Sequence, residues 1–233
     1  MRTRAELKQS VKDLFHGKWG KAVGLNVIPV LLLLLVNGYN RFYIRSNYDA
    51  ASSSFIGLYQ HLGTRTWWII LLATVIGFGV TYTFLDWVRE PNREINPASD
   101  SFRVVASPTV FPLLVLSFLI SFIVVVGYVL LVVPGILFSL MYSQSIFVYK
   151  DLHEKNPDAS IWAGIITSMR LSRQLMQGHK WEFFVLTLSF LGWALLAVPS
   201  FGFSNLWVTP YISGTRAAYY NDLEETSELE LTL

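Results

Sequence analysis

The sequence contains no cysteine in its 233 residues, which excludes disulfides, thiolate metal sites and thiol nucleophiles and leaves the redox compartment open. Charge is also scarce. Asp, Glu, Lys and Arg make up 15% of the chain, against about a quarter in ordinary soluble domains. His16, His61, His153 and His179 lack the i, i+4 spacing that brings two imidazoles to one metal. Gly77-Phe78-Gly79 lacks the further glycine and the strand-turn-helix setting of a nucleotide loop. No serine sits in a nucleophile elbow, and no pair of acidic residues marks a recognisable cleft. These absences lead us to expect no enzyme, cofactor, metal or nucleic-acid partner. No cleavable signal is expected either, because the first apolar run follows a long polar opening and has no small-residue cleavage motif behind it.

What is abundant is apolar length. Hydrophobic residues are 53% of the chain, and Ala22–Asn40, Thr66–Leu85, Val104–Tyr149 and Phe183–Thr215 carry no Lys, Arg, Asp or Glu. A bilayer core about 30 Å thick takes about 20 helical residues per crossing, so these stretches read as one, one, two and two spans. The expected fold is all-α: a polytopic membrane helix bundle of six transmembrane helices plus amphipathic cytoplasmic surface helices, forming one integral membrane domain over 1–221. The spans fall at 19–40, 66–88, 109–133, 136–149, 181–198 and 205–220, and 222–233 is an acidic cytoplasmic tail. Pro134-Gly135 and Pro199-Ser200-Phe201-Gly202 supply turns inside the two long runs. Span four is short for a full crossing, which leaves bilayer thinning or a re-entrant path open.

Basic residues stay on the cytoplasmic side of a membrane protein. With both termini inside, Arg41, Arg45 and Arg65 alone, of 18 Lys and Arg, fall outside. This orientation predicts a cell-membrane protein with cytoplasmic N- and C-termini.

Before the first span, Thr3-Arg4-Ala5-Glu6 reads as a capping box, and Leu7, Val11, Leu14 and Phe15 follow on one helical face over 4–16. That stripe suits either the headgroup plane, with Lys8 and Lys12 attracted to anionic lipid, or the cytoplasmic ends of the spans. A second amphipathic helix is expected over 158–177, with Ile161, Ile165, Met169, Ser172 and Met176 on one face. Trp19 and Trp181 join Lys8 and Lys12 as candidate lipid-interface residues. Leu14-Phe15-His16-Gly17-Lys18-Trp19 matches Leu175-Met176-Gln177-Gly178-His179-Lys180-Trp181 with one insertion, a hint of a duplicated unit.

The opening Met1–Lys8, Gly17-Lys18-Trp19-Gly20-Lys21-Ala22, Val133-Pro134-Gly135-Ile136, Gly178-His179-Lys180-Trp181-Glu182-Phe183, and Pro210-Tyr211 ahead of Ala217-Ala218-Tyr219-Tyr220 resemble an integral membrane family of mainly Gram-positive bacteria, catalogued as domain of unknown function 975. The likeness runs over nearly the whole chain. More distantly the chain is similar to the membrane domain attached to some glycerophosphodiester phosphodiesterases, without their catalytic domain. The resemblance implies a fold and a membrane location and brings no catalytic residues with it.

Polar groups at membrane depth must face protein or water, because hydrocarbon does not satisfy them. Asn26 beside Pro29, Asp86, Ser143 and Gln144, and Ser213 and Arg216 are therefore the candidates for one cytoplasm-facing polar cavity. An Asp86–Arg216 pair would offset the desolvation of each, whereas a snorkelling Arg216 would need no partner. The first expectation is a protein that binds or moves a small molecule, lipid or peptide through that cavity. The alternative is a structural or protective module that associates with another membrane protein or a second copy, with the lipid bilayer as common partner.

Overall fold

Thr3 starts the first helix, α1 (Arg4–Phe15), by a reciprocal cap: its hydroxyl accepts from Glu6 N at 3.3 Å while its own N–H donates to Glu6 Oε2 at 2.7 Å. Gly17, at φ 71°, turns the chain into α2 (Trp19–Ser46). The computed structural model describes residues 1–46, 55–195, 200 and 202–227, with side chains from 65 onward in the second segment and up to 193 before the next break. All secondary structure among the described residues is helical. It continues as α3 (Phe55–Arg89), α4 (Pro97–Phe102), α5 (Val110–Leu130), α6 (Val132–Met141), α7 (Ser145–Lys155), α8 (Ile161–Leu175), α9 (Lys180–Leu188), α10 (Leu191–Leu195) and α11 (Asn205–Thr226).

Four helical stretches are long and apolar enough to cross a membrane: Trp19–Ser46, Arg65–Arg89, Val110–Leu130 and Val132–Lys155, the last spanning α6 and α7. The most apolar of them, α5, has only 17% of its stretch buried. Phe118, Phe122 and Val129 to Val133 point outward, an arrangement that water would penalise heavily and lipid does not. The sequence led us to expect six spans. The last apolar run instead forms α9, α10 and α11, none of which meets the length and apolarity of a span, because α9 has 9 residues and the C-terminal half of α11 is polar. The end of the expected fifth span and the acidic tail beyond Ser227 lie outside the described residues.

The hairpin between α5 and α6 turns at Leu131, which is extended at φ −162°, three residues ahead of the expected Pro134-Gly135 turn. Pro134 sits in the first turn of α6, where its missing N–H costs no helical bond. Gly135 serves close packing rather than turning, since a Cβ there would meet the Tyr128 ring at 2.4 Å. The chain breaks again after Met141, where Ser172 of α8 stitches the gap: its hydroxyl donates to Met141 O at 2.9 Å and accepts from Gln144 N at 3.2 Å.

The amphipathic faces turn toward protein. Leu7, Val11 and Phe15 of α1 are fully buried, and Phe15 and Val11 seat on Gly214 of α11, where a Cβ would come within 2.8 and 2.9 Å of them. The Phe15 ring lies 5.2 Å from Trp87 and 5.8 Å from Phe84. On α8, Ile165, Ser172 and the following Met176 are buried, Ile161 is exposed, and Gly164 admits the Tyr149 ring. Gly178, at φ 82°, ends α8 as Gly17 ends α1, so the matching sequence segments share a backbone turn.

Candidate functional site

Three helices converge on one cavity of about 300 Å³. Asn26 and Asn37 line it from α2, Thr74 and Thr81 from α3, and Asn205, Thr209 and Ser213 from α11. The spacings i+11, i+7, and i+4 with i+8 each return to the same helical face, so every helix contributes a polar row. The remaining lining is apolar or glycine, and no ionisable side chain takes part. Thr74 and Thr81 donate their hydroxyl protons to the carbonyls of Ile70 and Gly77, both at 2.8 Å, and Asn26 Nδ2 donates to Ala22 O at 3.2 Å. The two threonines are left with acceptor capacity, while the amides of Asn26, Asn37 and Asn205 offer both donors and acceptors, so the lining is polar, neutral and of mixed hydrogen-bonding character.

Prolines shape the helices around it. Pro29 has no N–H for the carbonyl of Leu25, and the Ser101 hydroxyl of α4 takes that carbonyl at 3.0 Å. The α4 helix gets close enough because Gly24 and Gly79 line its dock; a Cβ on Gly79 would lie 2.3 Å from Ser101 O. At the far end, Gly202 (φ 92°) lies against Leu34.

The expected candidates divide among separate places. Asn26 and Ser213 share the cavity just described. Ser143 and Arg216 share a second groove, between α6, α9, α10 and α11. Gln144 is fully buried at the break after α6; its Nε2 donates to Ser143 Oγ at 3.0 Å and its Oε1 finds no partner among the described residues.

Asp86 does not meet Arg216. It accepts instead from Lys150 at 2.7 Å, Arg93 at 2.8 Å and Arg103, a cluster completed by Glu154 at 2.8 Å from Lys150. The reason is register: Asp86 lies near the C-terminal end of α3, where α7 brings Lys150 and the segment after Arg89 returns two arginines. Beside it, Arg89 pairs with Asp151 and Glu224, and Tyr220 donates its hydroxyl to Asp151 at 2.6 Å. The first cluster ties α3 to α7, and the second adds α11 at the same end of the bundle.

Of the expected lipid-interface residues, Lys8 donates to Ser189 Oγ at 2.6 Å and lies 4.3 Å over the Phe190 ring. Burial there, together with Lys12 and Arg4, pushes its ammonium below the ordinary lysine range. Lys12 and Trp19 wall a recess with Trp193, Trp207, Val208 and Tyr211, and Trp181 is exposed.

Sequence reading missed Asn37, Thr74, Thr81, Asn205 and Thr209; the signal was same-face spacing within each helix. It also counted Arg89 and Lys150 only among the basic residues of one membrane side and passed over Asp151, whereas Lys150 and Asp151 are only 2% and 4% exposed.

A family model described as protein of unknown function (DUF975) matches residues 1–156 and 122–227. No curated protein matches, so the more distant likeness to glycerophosphodiester phosphodiesterases is not shown, and no solved structure matches either.

Proposed function

The chain belongs to the DUF975 family, and we propose that it is a multi-pass protein of the cytoplasmic membrane that receives a small, uncharged, hydrogen-bonding molecule in the cavity between α2, α3 and α11. The observation that carries this is the convergence of three polar rows, without a charge, on one space. Neutral donors and acceptors suit a neutral guest, because an ion would face desolvation there with no countercharge. The reading is of a binding or transport protein rather than an enzyme.

In this reading α2, α3, α5 and the α6–α7 stretch cross fully, and the hairpin leading to α11 enters from the inner side. The position of Gly202 against Leu34, well short of Ser46, supports that path over two further crossings. Either path keeps both termini cytoplasmic.

The chain's lack of cysteine makes it a clean background for a test. Asn26→Cys and Thr209→Cys are expected to react with a membrane-impermeant thiol reagent, while Leu35→Cys, on the outward face of α2, is shielded by lipid. A guest-sized polyol should slow the first two. If both cavity positions are as unreactive as Leu35→Cys, the space is dry and the structural or protective reading takes its place.

A further inference from the structure

The groove that holds Arg216 differs in kind from the neutral cavity. It is about 370 Å³, walled by Leu140, Phe183, Leu186, Phe190, Leu191 and Ile212, and its polar members are Ser139, Ser143, Thr187 and Arg216. The Arg216 guanidinium is exposed and sits 5.9 Å from the Phe183 ring centroid, with no ion pair among the described residues. It is the groove's one cation. By contrast Arg89, Arg93, Arg103 and Lys150, around the C-terminal end of α3, are each held by carboxylates.

The hydroxyls around it are spoken for as donors. Ser139 donates to Ile136 O at 2.7 Å, Ser143 to Leu140 O at 2.8 Å and Thr187 to Phe183 O at 2.9 Å. Ser139 and Thr187 keep their acceptor lone pairs, and Ser143, which already accepts from Gln144 Nε2 at 3.0 Å, keeps one. The site thus offers one cation for an anionic oxygen, hydroxyl acceptors for a donor, and an apolar wall for a chain.

We propose that this groove binds one anionic glycerophospholipid with a hydroxyl-bearing headgroup. Its phosphate lies on Arg216, its headgroup hydroxyls donate to Ser139, Ser143 or Thr187, and an acyl chain lies along Phe183, Leu186, Phe190 and Ile212. Arginine suits a phosphate through its planar set of donors, and the apolar wall selects a tailed ligand over free phosphate. The occupant is separate from the guest of the neutral cavity, so the two proposals stand or fall independently.

The test is retention of lipid by the purified full-length protein in a neutral detergent, titrated with phosphatidylglycerol or phosphatidylcholine and read by native mass spectrometry. The expected result is one saturable phosphatidylglycerol, bound at least tenfold more tightly than phosphatidylcholine. Arg216→Gln should lose at least tenfold and Arg216→Lys should recover most of that loss. Thr187→Trp fills the groove from an exposed position and leaves the arginine in place, so it should also lose binding while the protein stays folded. Equal retention of both lipids, or unchanged retention in Arg216→Gln, would mean that Arg216 merely reaches bulk headgroups and would overturn the proposal. Displacement of the lipid by glycerol phosphate at comparable concentration would overturn the lipid assignment in favour of a free phosphate site.

Discussion

Arg89 grips Asp151 with two nitrogens, Nη1 to Oδ1 at 2.7 Å and Nη2 to Oδ2 at 2.8 Å, and so ties the C-terminal end of α3 to α7. Asp151 is buried and also accepts from Tyr220, so its carboxylate serves three helices at once. Removing one member of a buried pair strands the other. Asp151→Asn is expected to destabilise the protein by about 3 kcal/mol, at the lower end of the range because Arg89 keeps Glu224. Tyr220→Phe loses a single hydrogen bond and should cost about 1 kcal/mol. Thermal unfolding in detergent ranks the two. An Asp151→Asn protein no less stable than Tyr220→Phe would mean that the pair holds nothing.

The neighbouring cluster has the opposite asymmetry. Asp86 faces Lys150, Arg93 and Arg103, so Asp86→Asn leaves three cations close together, whereas Lys150→Met removes one and leaves two on the carboxylate. Asp86→Asn is therefore expected to be the worse substitution by about 2 kcal/mol, the scale of an unpaired buried charge after relaxation. Glu154→Gln, on the exposed side, should change little. A reversed order between Asp86→Asn and Lys150→Met would show that Asp86 is not what holds the three cations together.

These clusters show where sequence reading stops. Hydropathy located α2, α3 and α5 because lipid exposure demands long apolar runs, and the period of Leu7, Val11 and Phe15 located α1. The same period left open whether lipid or protein covers that face; the answer came from Gly214, a contact across some two hundred residues of sequence. Pro134-Gly135 was a sound local turn signal, yet proline is equally at home in a helix's first turn, and the Gly127–Gly135 approach placed the turn at Leu131. Asp86 and Arg216 looked complementary as isolated charges near one membrane face. Only the register of α7 beside α3 reveals that Lys150 reaches Asp86 first. The neutral cavity was legible in part, through Asn26 and Ser213, while the threonines facing them carry no charge to draw notice.

Two adjacent glycines should behave differently for reasons the packing makes plain. A Cβ on Gly79 would lie 2.3 Å from the backbone carbonyl of Ser101, so Gly79→Ala must push α4 away and free the Leu25 carbonyl that Ser101 satisfies. A Cβ on Gly77 meets nothing within 4 Å and projects where the neutral cavity has room. Gly79→Ala is expected to lower stability by about 2 kcal/mol, in the range of overpacking. Gly77→Ala should leave stability unchanged or raise it slightly, through its better helix propensity. Equal melting behaviour for the two would contradict the docking of α4 against α3.

The cap on α1 gives a pH dependence whose direction follows from one carboxylate. Thr3 N–H and hydroxyl both bond Glu6, and these bonds hold its carboxyl below the ordinary glutamate range. A depressed carboxyl contributes stability above its unfolded value and loses it as pH falls through the folded one. Below the ordinary glutamate range, α1 should therefore fray from its first turn, with the anchor of Leu7, Val11 and Phe15 resisting release of the rest. Amide protection factors at residues 4–8, measured from neutral to acidic pH, should fall in that window. Glu6→Gln should remove most of the step, since its amide cannot titrate. Thr3→Ala should cost about 1 kcal/mol of helix stability at neutral pH, as loss of an N-cap does. A pH step that survives in Glu6→Gln would assign the effect to a group other than Glu6.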